Sequence, residues 1–277
     1  MDLELAGKTA IVTGGSRGIG KAIARELAHE GVDVAIVARS ADALEAAAAE
    51  LAEETGRVIV PIVADTGSDA SVKAMVEQAA KALGHIDILV NCAAQPGGQG
   101  RPPVLAEITD EVFWPDINVK VMGYLRCIRE VVPHMARRGG GRIVNVSGLA
   151  ARSTGSTVGS VRNVAVAAMT KNLAEELGPQ GISVVVVHPA LTRTEKTPGV
   201  IRARAMVTRR LRPLQVEGRT VHQVGLPWHW GYRGLVTGDV ANDLTAISED
   251  PNSRIMESKA LLCDIAPSER NAHGIAE

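Results

Sequence analysis

Six short runs rich in Val and Ile, each followed by a helix-favouring stretch, constrain this chain more than any other feature. The runs are Thr9–Thr13, Val32–Ala38, Val58–Val63, Ile86–Asn91, Arg142–Ser147 and Ile182–His188. Their apolar residues follow one another instead of alternating with polar ones, as in strands covered on both faces. Between them lie Gly18–His29, Ala41–Glu54, Ser68–Leu83, Ile117–Arg138 and Val164–Leu177. Gly31, Gly56, Gly84, Gly139–Gly141 and Gly181 punctuate the ends of these segments, where glycine terminates helices. Strands and helices in alternation, joined by right-handed crossovers, predict an α/β fold with a doubly wound parallel sheet.

The rhythm stops near Thr197. From 198 to 277 the sequence is rich in Gly, Pro, Arg and Asp, with short apolar runs and no long amphipathic helix. Two pieces are therefore expected, 1–200 and 201–277, the second an irregular, β-containing tail. Aromatic residues make the same division. They are 2% of the 277 residues, and three of the six, Trp228, Trp230 and Tyr232, fall within five positions.

Composition excludes several functions. The net charge of −1 gives no field that would draw the chain to nucleic acid or to an anionic membrane. No apolar run reaches the ~18 residues of a membrane span. The start, Met1-Asp2-Leu3-Glu4-Leu5, is acidic where a secretory leader would be basic, so a soluble, cytoplasmic protein is expected. Cys92, Cys127 and Cys263 lie far apart, without metal-ligand spacing, and read as reduced, mostly buried thiols. No metal is expected.

The first strand runs into Thr13-Gly14-Gly15-Ser16-Arg17-Gly18-Ile19-Gly20. Gly14 permits a tight turn out of the strand, Gly18 lets backbone approach a pyrophosphate, and Gly20 lets the helix pack close to the sheet. The helix that follows offers free N–H groups to phosphate. This is a Rossmann-like dinucleotide cradle. The second strand ends Val37-Ala38-Arg39-Ser40. An NAD site favours an acidic residue at that end, to hold the ribose hydroxyls. Here Ala38 occupies the place and Arg39 follows, so Arg39 and Arg17 are expected to clamp the 2′-phosphate of NADP(H).

These residues resemble the short-chain dehydrogenase/reductase family over about 5–197. The resemblance implies that Thr13 to Gly20 is the family's glycine loop and that Asp65 is its adenine contact. It implies that Asn91-Cys92-Ala93-Ala94 is the turn that stabilises the sheet and borders the cofactor. Asn118 matches the asparagine of the catalytic tetrad. Pro189-Ala190-Leu191-Thr192-Arg193-Thr194 matches the Pro-Gly segment, with Thr194 at the nicotinamide amide. The family's tyrosine, lysine and serine do not carry over. Alignment on Ala165, Met169 and Thr170 puts Gly159 at the tyrosine and Asn163 at the lysine, with Ser160 and Val164 as the alternatives one residue along. Either Ser147 or Gly148 holds the serine position. Asn163 would still bond the ribose, without the charge. Another acid is then needed: Tyr124 reads as core, and His188, just before Pro189, is a candidate.

The tail is similar to something else. From about 201 to 266 it resembles the C-terminal region of the catalytic subunit of molybdenum-dependent formate dehydrogenases, without that family's metal-ligating and iron–sulfur cysteines. A short-chain dehydrogenase sheet needs a seventh strand beside the sixth. Leu235–Val240 and Leu261–Ile265 are the candidates for that place.

The sequence thus predicts an NADP(H)-dependent oxidoreductase acting on a small carbonyl or alcohol, with an altered catalytic pair. The alternative is a non-catalytic NADP(H)-binding pseudoenzyme or scaffold. A homo-oligomer would form through the long helices 117–138 and 164–177.

Overall fold

The computed structural model describes residues 3–95, 101–189, 192, 194–195, 211–216, 219–224 and 234–237. The chain divides into two compact units that part at about residue 198.

The first unit holds β1 (Thr9–Thr13), α1 (Gly18–His29), β2 (Asp33–Ala38), α2 (Ala41–Thr55), β3 (Ile59–Val63) and α3 (Asp69–Leu83). It continues with β4 (Ile88–Asn91), α4 (Asp110–Ile117), α5 (Gly123–Arg137), β5 (Gly141–Val146), α6 (Thr157–Leu177) and β6 (Ile182–Val187). The six strands form one parallel sheet in the order β3-β2-β1-β4-β5-β6. This is the doubly wound, Rossmann-like sheet that the alternating pattern predicts. Its order reverses between β1 and β4, which opens a crevice at the carboxyl ends of those strands.

Each strand supplies both faces of the core. In β1, Ala10 and Val12 pack with Val34, Ile36, Ala24, Leu44 and Leu51 on one side. Ile11 packs with Val37, Leu89, Met75, Val131 and Met135 on the other. The continuous apolar runs follow from this two-sided burial, and each fully buried Leu or Ile contributes about 1.5–3 kcal/mol. Gly20, Ala24 and Ala28 form the buried stripe of α1, spaced four apart, and their small size brings the helix close to the sheet.

Two helices differ from the sequence expectation. The stretch expected as Ile117–Arg138 starts earlier and is interrupted: α4 leads into a π turn, Asn118–Met122, and then into α5. The helix expected at Val164–Leu177 begins seven residues sooner, at Thr157, where the Ser156 hydroxyl accepts from the Gly159 N–H at 3.1 Å and caps it.

The second unit contains an antiparallel sheet of β7 (Leu211–Val216), β8 (Arg219–Val224) and β9 (Gly234–Thr237), in that order. Pro213 lies in β7, an edge strand, where a missing N–H is tolerated. Of the two candidates for a seventh strand, Leu235–Val240 contributes its first three residues, Leu235–Thr237, to β9, paired with β8; 238–240 lie outside the described residues. Leu261–Ile265 lies outside the described residues. Among the described residues β6 is the last strand of the large sheet, with Val185 and Val187 about half exposed. No helix of the described residues is long and apolar enough to cross a membrane.

Candidate functional site

The crevice is a cleft of about 490 Å³, lined by the turn after β1 and by the ends of β2, β4 and β5. Its size falls within the usual range for small-molecule sites. Ser16, Arg17, Gly18, Ile19 and Gly20 form one wall, and Ala38, Arg39 and Ser40 continue it past β2. Asp65 and Thr66 follow β3. Cys92, Ala93 and Ala94 follow β4. Val119, Lys120, Val146 and Ser147 close the far end, with Thr194 and Glu195 beside the turn.

Sterics explain two glycines of the turn. Gly14 has a φ of +71°, and a Cβ there would meet the Ala93 backbone nitrogen at 3.0 Å. A Cβ on Gly20 would lie 2.2 Å from the Gly14 carbonyl oxygen, so no other residue fits where α1 crosses the strand end. The Gly14 and Gly15 N–H groups donate to the Val37 carbonyl at 2.8 and 3.2 Å, tying the turn to β2. The result is a cradle of bare backbone at a helix N-terminus, the donor set that a phosphate group requires.

Thr13 and Asn91 lie behind the cleft and do not line it. The Thr13 hydroxyl accepts from the N–H groups of Cys92 and Ala93 at 3.0 and 3.2 Å, which holds the turn after β4 in place. The Asn91 amide donates to Asn145 at 3.0 Å, and Asn145 donates to the Thr170 hydroxyl at 3.0 Å. This buried chain ties β4 to β5 and β5 to α6, and both asparagines are fully buried. Asp65 lines the cleft while its carboxylate accepts from the Gly67 N–H at 2.9 Å.

Asn118 is not among the described residues that line the cleft. Its amide donates to the Gly67 carbonyl at 3.2 Å, and its side-chain oxygen accepts from Arg126 at 2.9 Å. Arg126 also donates to the backbone carbonyls of Thr66 and Asn118, and pairs with Asp69 at 2.9 Å. Asn118 therefore fastens the start of the π turn to the loop after β3.

At the far end, the residues matched to the family's proton-transfer group are engaged in structure. The Ser147 hydroxyl donates to the Asn163 carbonyl at 3.0 Å, buried between β5 and α6. Asn163 is 3% exposed and does not line the cleft; its side-chain oxygen has no hydrogen-bond partner among the described residues. A Cβ on Gly148 would come 2.9 Å from the Asn163 amide nitrogen, so Gly148 admits that side chain. Gly159 lies in the capped first turn of α6. Tyr124 is fully buried, and its hydroxyl donates to the Val146 carbonyl at 3.0 Å. His188 Nδ1 lies 3.3 Å from the Gly148 carbonyl; Pro189 follows it. No tyrosine or histidine is among the described residues lining the cleft.

Sequence reasoning missed Lys120. It is 5% exposed, sits on the π turn, and donates to the Ser147 carbonyl at 2.8 Å. No carboxylate oxygen of the described residues lies within ion-pair distance of it. Burial lowers its pKa to about 8, and the nearby Arg162 charge acts in the same direction. Arg162 itself pairs with Asp116. Cys92, beside Lys120, is pushed up to about 11 by burial. The missed signal is the interrupted helix, which turns a lysine inward. Glu195 was missed as well: its carboxylate accepts from the Gly18 N–H. Among the described residues no cluster of His, Cys, Asp or Glu has the arrangement of a metal site.

Comparison with known proteins extends over the first unit. A family model described as short chain dehydrogenase matches residues 8–204. The short-chain reductase protein NovJ of Streptomyces niveus is 38% identical over 186 residues, which are 67% of this chain and 69% of that protein. The crystal structure of L-sorbose reductase from Gluconobacter frateurii, complexed with NADPH and L-sorbose, superposes with a TM-score of 0.69 at 30% identity. It covers 76% of this chain and 84% of its own. NAD+-bound xylitol dehydrogenase superposes with a TM-score of 0.65 at 28% identity, covering 74% of this chain and 77% of its own.

Proposed function

The chain belongs to the short-chain dehydrogenase/reductase family, and from that premise we propose that it is an NADP(H)-dependent oxidoreductase of small carbonyls and alcohols with an altered catalytic pair. The observation that carries the choice of cofactor is the wall of the cleft past β2. Ala38, Arg39 and Ser40 line it, and Arg17 lines the cleft from the glycine turn, so two arginines are available to a ribose 2′-phosphate and the residue that ends β2 is not acidic. The NADPH complex of the sorbose reductase supports the same reading, and the NAD+ complex of the xylitol dehydrogenase marks the competing one.

The bare-backbone cradle at Gly14 and Gly20 fits the pyrophosphate of such a cofactor. Ser16 to Gly20 would hold the phosphates, Arg17 and Arg39 the 2′-phosphate, Asp65 the adenine, and Ala93 and Thr194 the nicotinamide half. Bound there, the cofactor supplies or accepts a hydride. Thr13 and Asn91 act one step back by holding the turns that carry these contacts. Asn118 and Ser147 act through the backbone they fasten. Titration of NADPH against NADH tests the reading: equal affinity for both removes the 2′-phosphate role of the arginines.

A second reading is favoured by one observation. The Ser147 hydroxyl is spent on α6, and no tyrosine lines the described cleft. A non-catalytic NADP(H)-binding protein would have this site. NADPH oxidation with a panel of aldehydes, ketones and quinones separates the two, since binding without turnover favours the second.

The domain division and the assembly belong to the same proposal. Residues 1–200 are the dinucleotide-binding domain, and 201–277 are a separate piece of formate dehydrogenase-like character. A chain cut at 200 should keep NADPH binding. Met122, within 117–138, and Val164 on α6 are exposed apolar residues, which supports pairing of two copies through the helices 117–138 and 164–177. Sedimentation of a Met122→Glu, Val164→Glu double variant tests that pairing. The cytoplasm is the proposed location, read from the sequence.

A further inference from the structure

We propose that Lys120 is the cofactor-binding ammonium of this site, donating to the hydroxyls of the nicotinamide ribose in place of the lysine that Asn163 does not supply. The inference rests on the NADP(H) reading above.

Three observations carry it. The first is position. In the strand order β2-β1-β4-β5, Arg39 lies past β2, and Ser147 lies past β5 on the other side of the crevice. A dinucleotide whose 2′-phosphate meets Arg39 extends its other ribose towards Ser147 and Lys120. Among the described residues lining the cleft, Lys120 is the one lysine. The second is its cost. A buried ammonium with no carboxylate at ion-pair distance is held in a state that burial disfavours, and such groups gather at functional sites. Among the described residues its hydrogen-bond partner is the Ser147 carbonyl, which leaves the other N–H donors of the ammonium for a ligand. The third is the helix that carries it. The π turn is fastened at Asn118 by Arg126 and Gly67, and it places Val119 and Lys120 together on the cleft. Interruptions of this kind recur where a helix must aim a side chain at a site.

Meanwhile α6 no longer offers a cation to the cleft. Asn163 turns under Gly148, and Arg162, its neighbour, is committed to Asp116. The charge has changed helices while its end of the cleft has stayed the same.

The test uses the full chain and two ligands. Adenosine 2′,5′-bisphosphate carries the adenine half and the 2′-phosphate but no nicotinamide ribose; NADPH carries both halves. Lys120→Met should weaken NADPH about tenfold or more, the loss of a charge-assisted hydrogen bond, and leave the bisphosphate unchanged. Wild-type affinity for NADPH should also fall as pH rises from 7.5 to 9.5, with the bisphosphate flat. The groups around Lys120 are Cys92 from the turn after β4, Asp116 from α4 and Arg162 from α6, and the thiol titrates above this window. Arg17, Arg39, Asp65 and Glu195 line the same cleft. Unchanged NADPH affinity in Lys120→Met overturns the proposal and leaves the cofactor reading intact. Equal loss of both ligands makes Lys120 merely structural and overturns it too. A wild-type chain that binds neither ligand overturns the cofactor reading itself. If Lys120→Met does not fold, Lys120→Gln and the wild-type pH series decide, and a pH-independent NADPH affinity overturns the proposal.

Discussion

The carboxylate of Glu195 sits on the Gly18 N–H, its two oxygens 3.2 and 3.1 Å from the nitrogen, at the entry to α1. That N–H belongs to the cradle that a pyrophosphate would use, so an anion of the chain occupies part of the place of the ligand's anion. Hydrogen bonds from its own backbone N–H and from Gly18, then the charges of Lys21 and Arg25, hold the Glu195 carboxyl below its ordinary pKa. It stays ionised at neutral pH and contests the site there.

Glu195→Gln should therefore tighten NADPH. The contact is exposed and worth roughly 1 kcal/mol, so the gain is about fivefold. The adenosine bisphosphate, which also carries a phosphate towards the turn, should gain less. Fluorescence titration of both ligands checks this, and a variant that binds NADPH more weakly would show that Glu195 helps to order the cradle instead.

On the proposed reading, Arg39 sets the choice of cofactor. Arg39→Ala should weaken NADPH by about 1.5–3 kcal/mol, the worth of a charge-assisted contact, and leave NADH nearly unchanged. Isothermal titration with each cofactor reads this directly. An equal loss for both would take Arg39 away from the 2′-phosphate.

Much of the frame was legible in the chain. Two-sided burial writes itself as continuous Val and Ile, so β1 and α1 fall where the pattern places them, and the cradle follows from three glycines at fixed offsets. The far end of the site was less legible. Residues 157–163 read Thr-Val-Gly-Ser-Val-Arg-Asn, poor in strong helix formers, so packing and the Ser156 cap decide that α6 begins there. Periodicity does not register the extra residue of a π turn, and a lysine on a helix reads as solvent-facing, so Lys120 stayed hidden. Asn118 and Asn91 were found by motif, but their partners, Gly67 with Arg126 and Asn145 with Thr170, depend on loops and strands distant in sequence.

A residue kept for binding at the expense of the fold should reveal itself when it is removed. Lys120 titrates at about 8 in the folded chain against an ordinary 10.5. Its folded-state pKa is depressed, so the unfolded chain binds more protons between those values and wild-type stability rises across that interval. Below about pH 8 the buried charge is fully present, and Lys120→Met should stabilise the fold by about 2–3 kcal/mol. The advantage should fade between pH 8 and 10.5 as the wild-type lysine becomes neutral. Thermal melts at pH 7 and pH 10 measure it. A variant less stable than wild type at pH 7 would mean that the Ser147 contact outweighs the cost of burial.

The proposed loss of the proton-transfer pair can be tested by putting the pair back. Gly159→Tyr together with Asn163→Lys would restore the family's pattern at the positions that the alignment gives. The geometry says what this costs. A Cβ on Gly159 would lie 3.0 Å from the Ser156 hydroxyl, so a tyrosine there disturbs the cap of α6, worth about 1 kcal/mol. At 163, a lysine must find room where Asn163 now lies under Gly148. It would also bring a second ammonium to the end of the cleft that already holds Lys120, raising repulsion between them. The double change alone should therefore melt lower than wild type and show little gain in carbonyl reduction. Adding Lys120→Met removes the repulsion, and the triple variant should show the larger gain, of the order of the 10²–10⁴ that a positioned proton donor supplies. NADPH oxidation with a fixed aldehyde, measured for both variants alongside their melting temperatures, tests the order. If the double variant outpaces the triple, Lys120 works alongside the restored pair and does not replace its lysine.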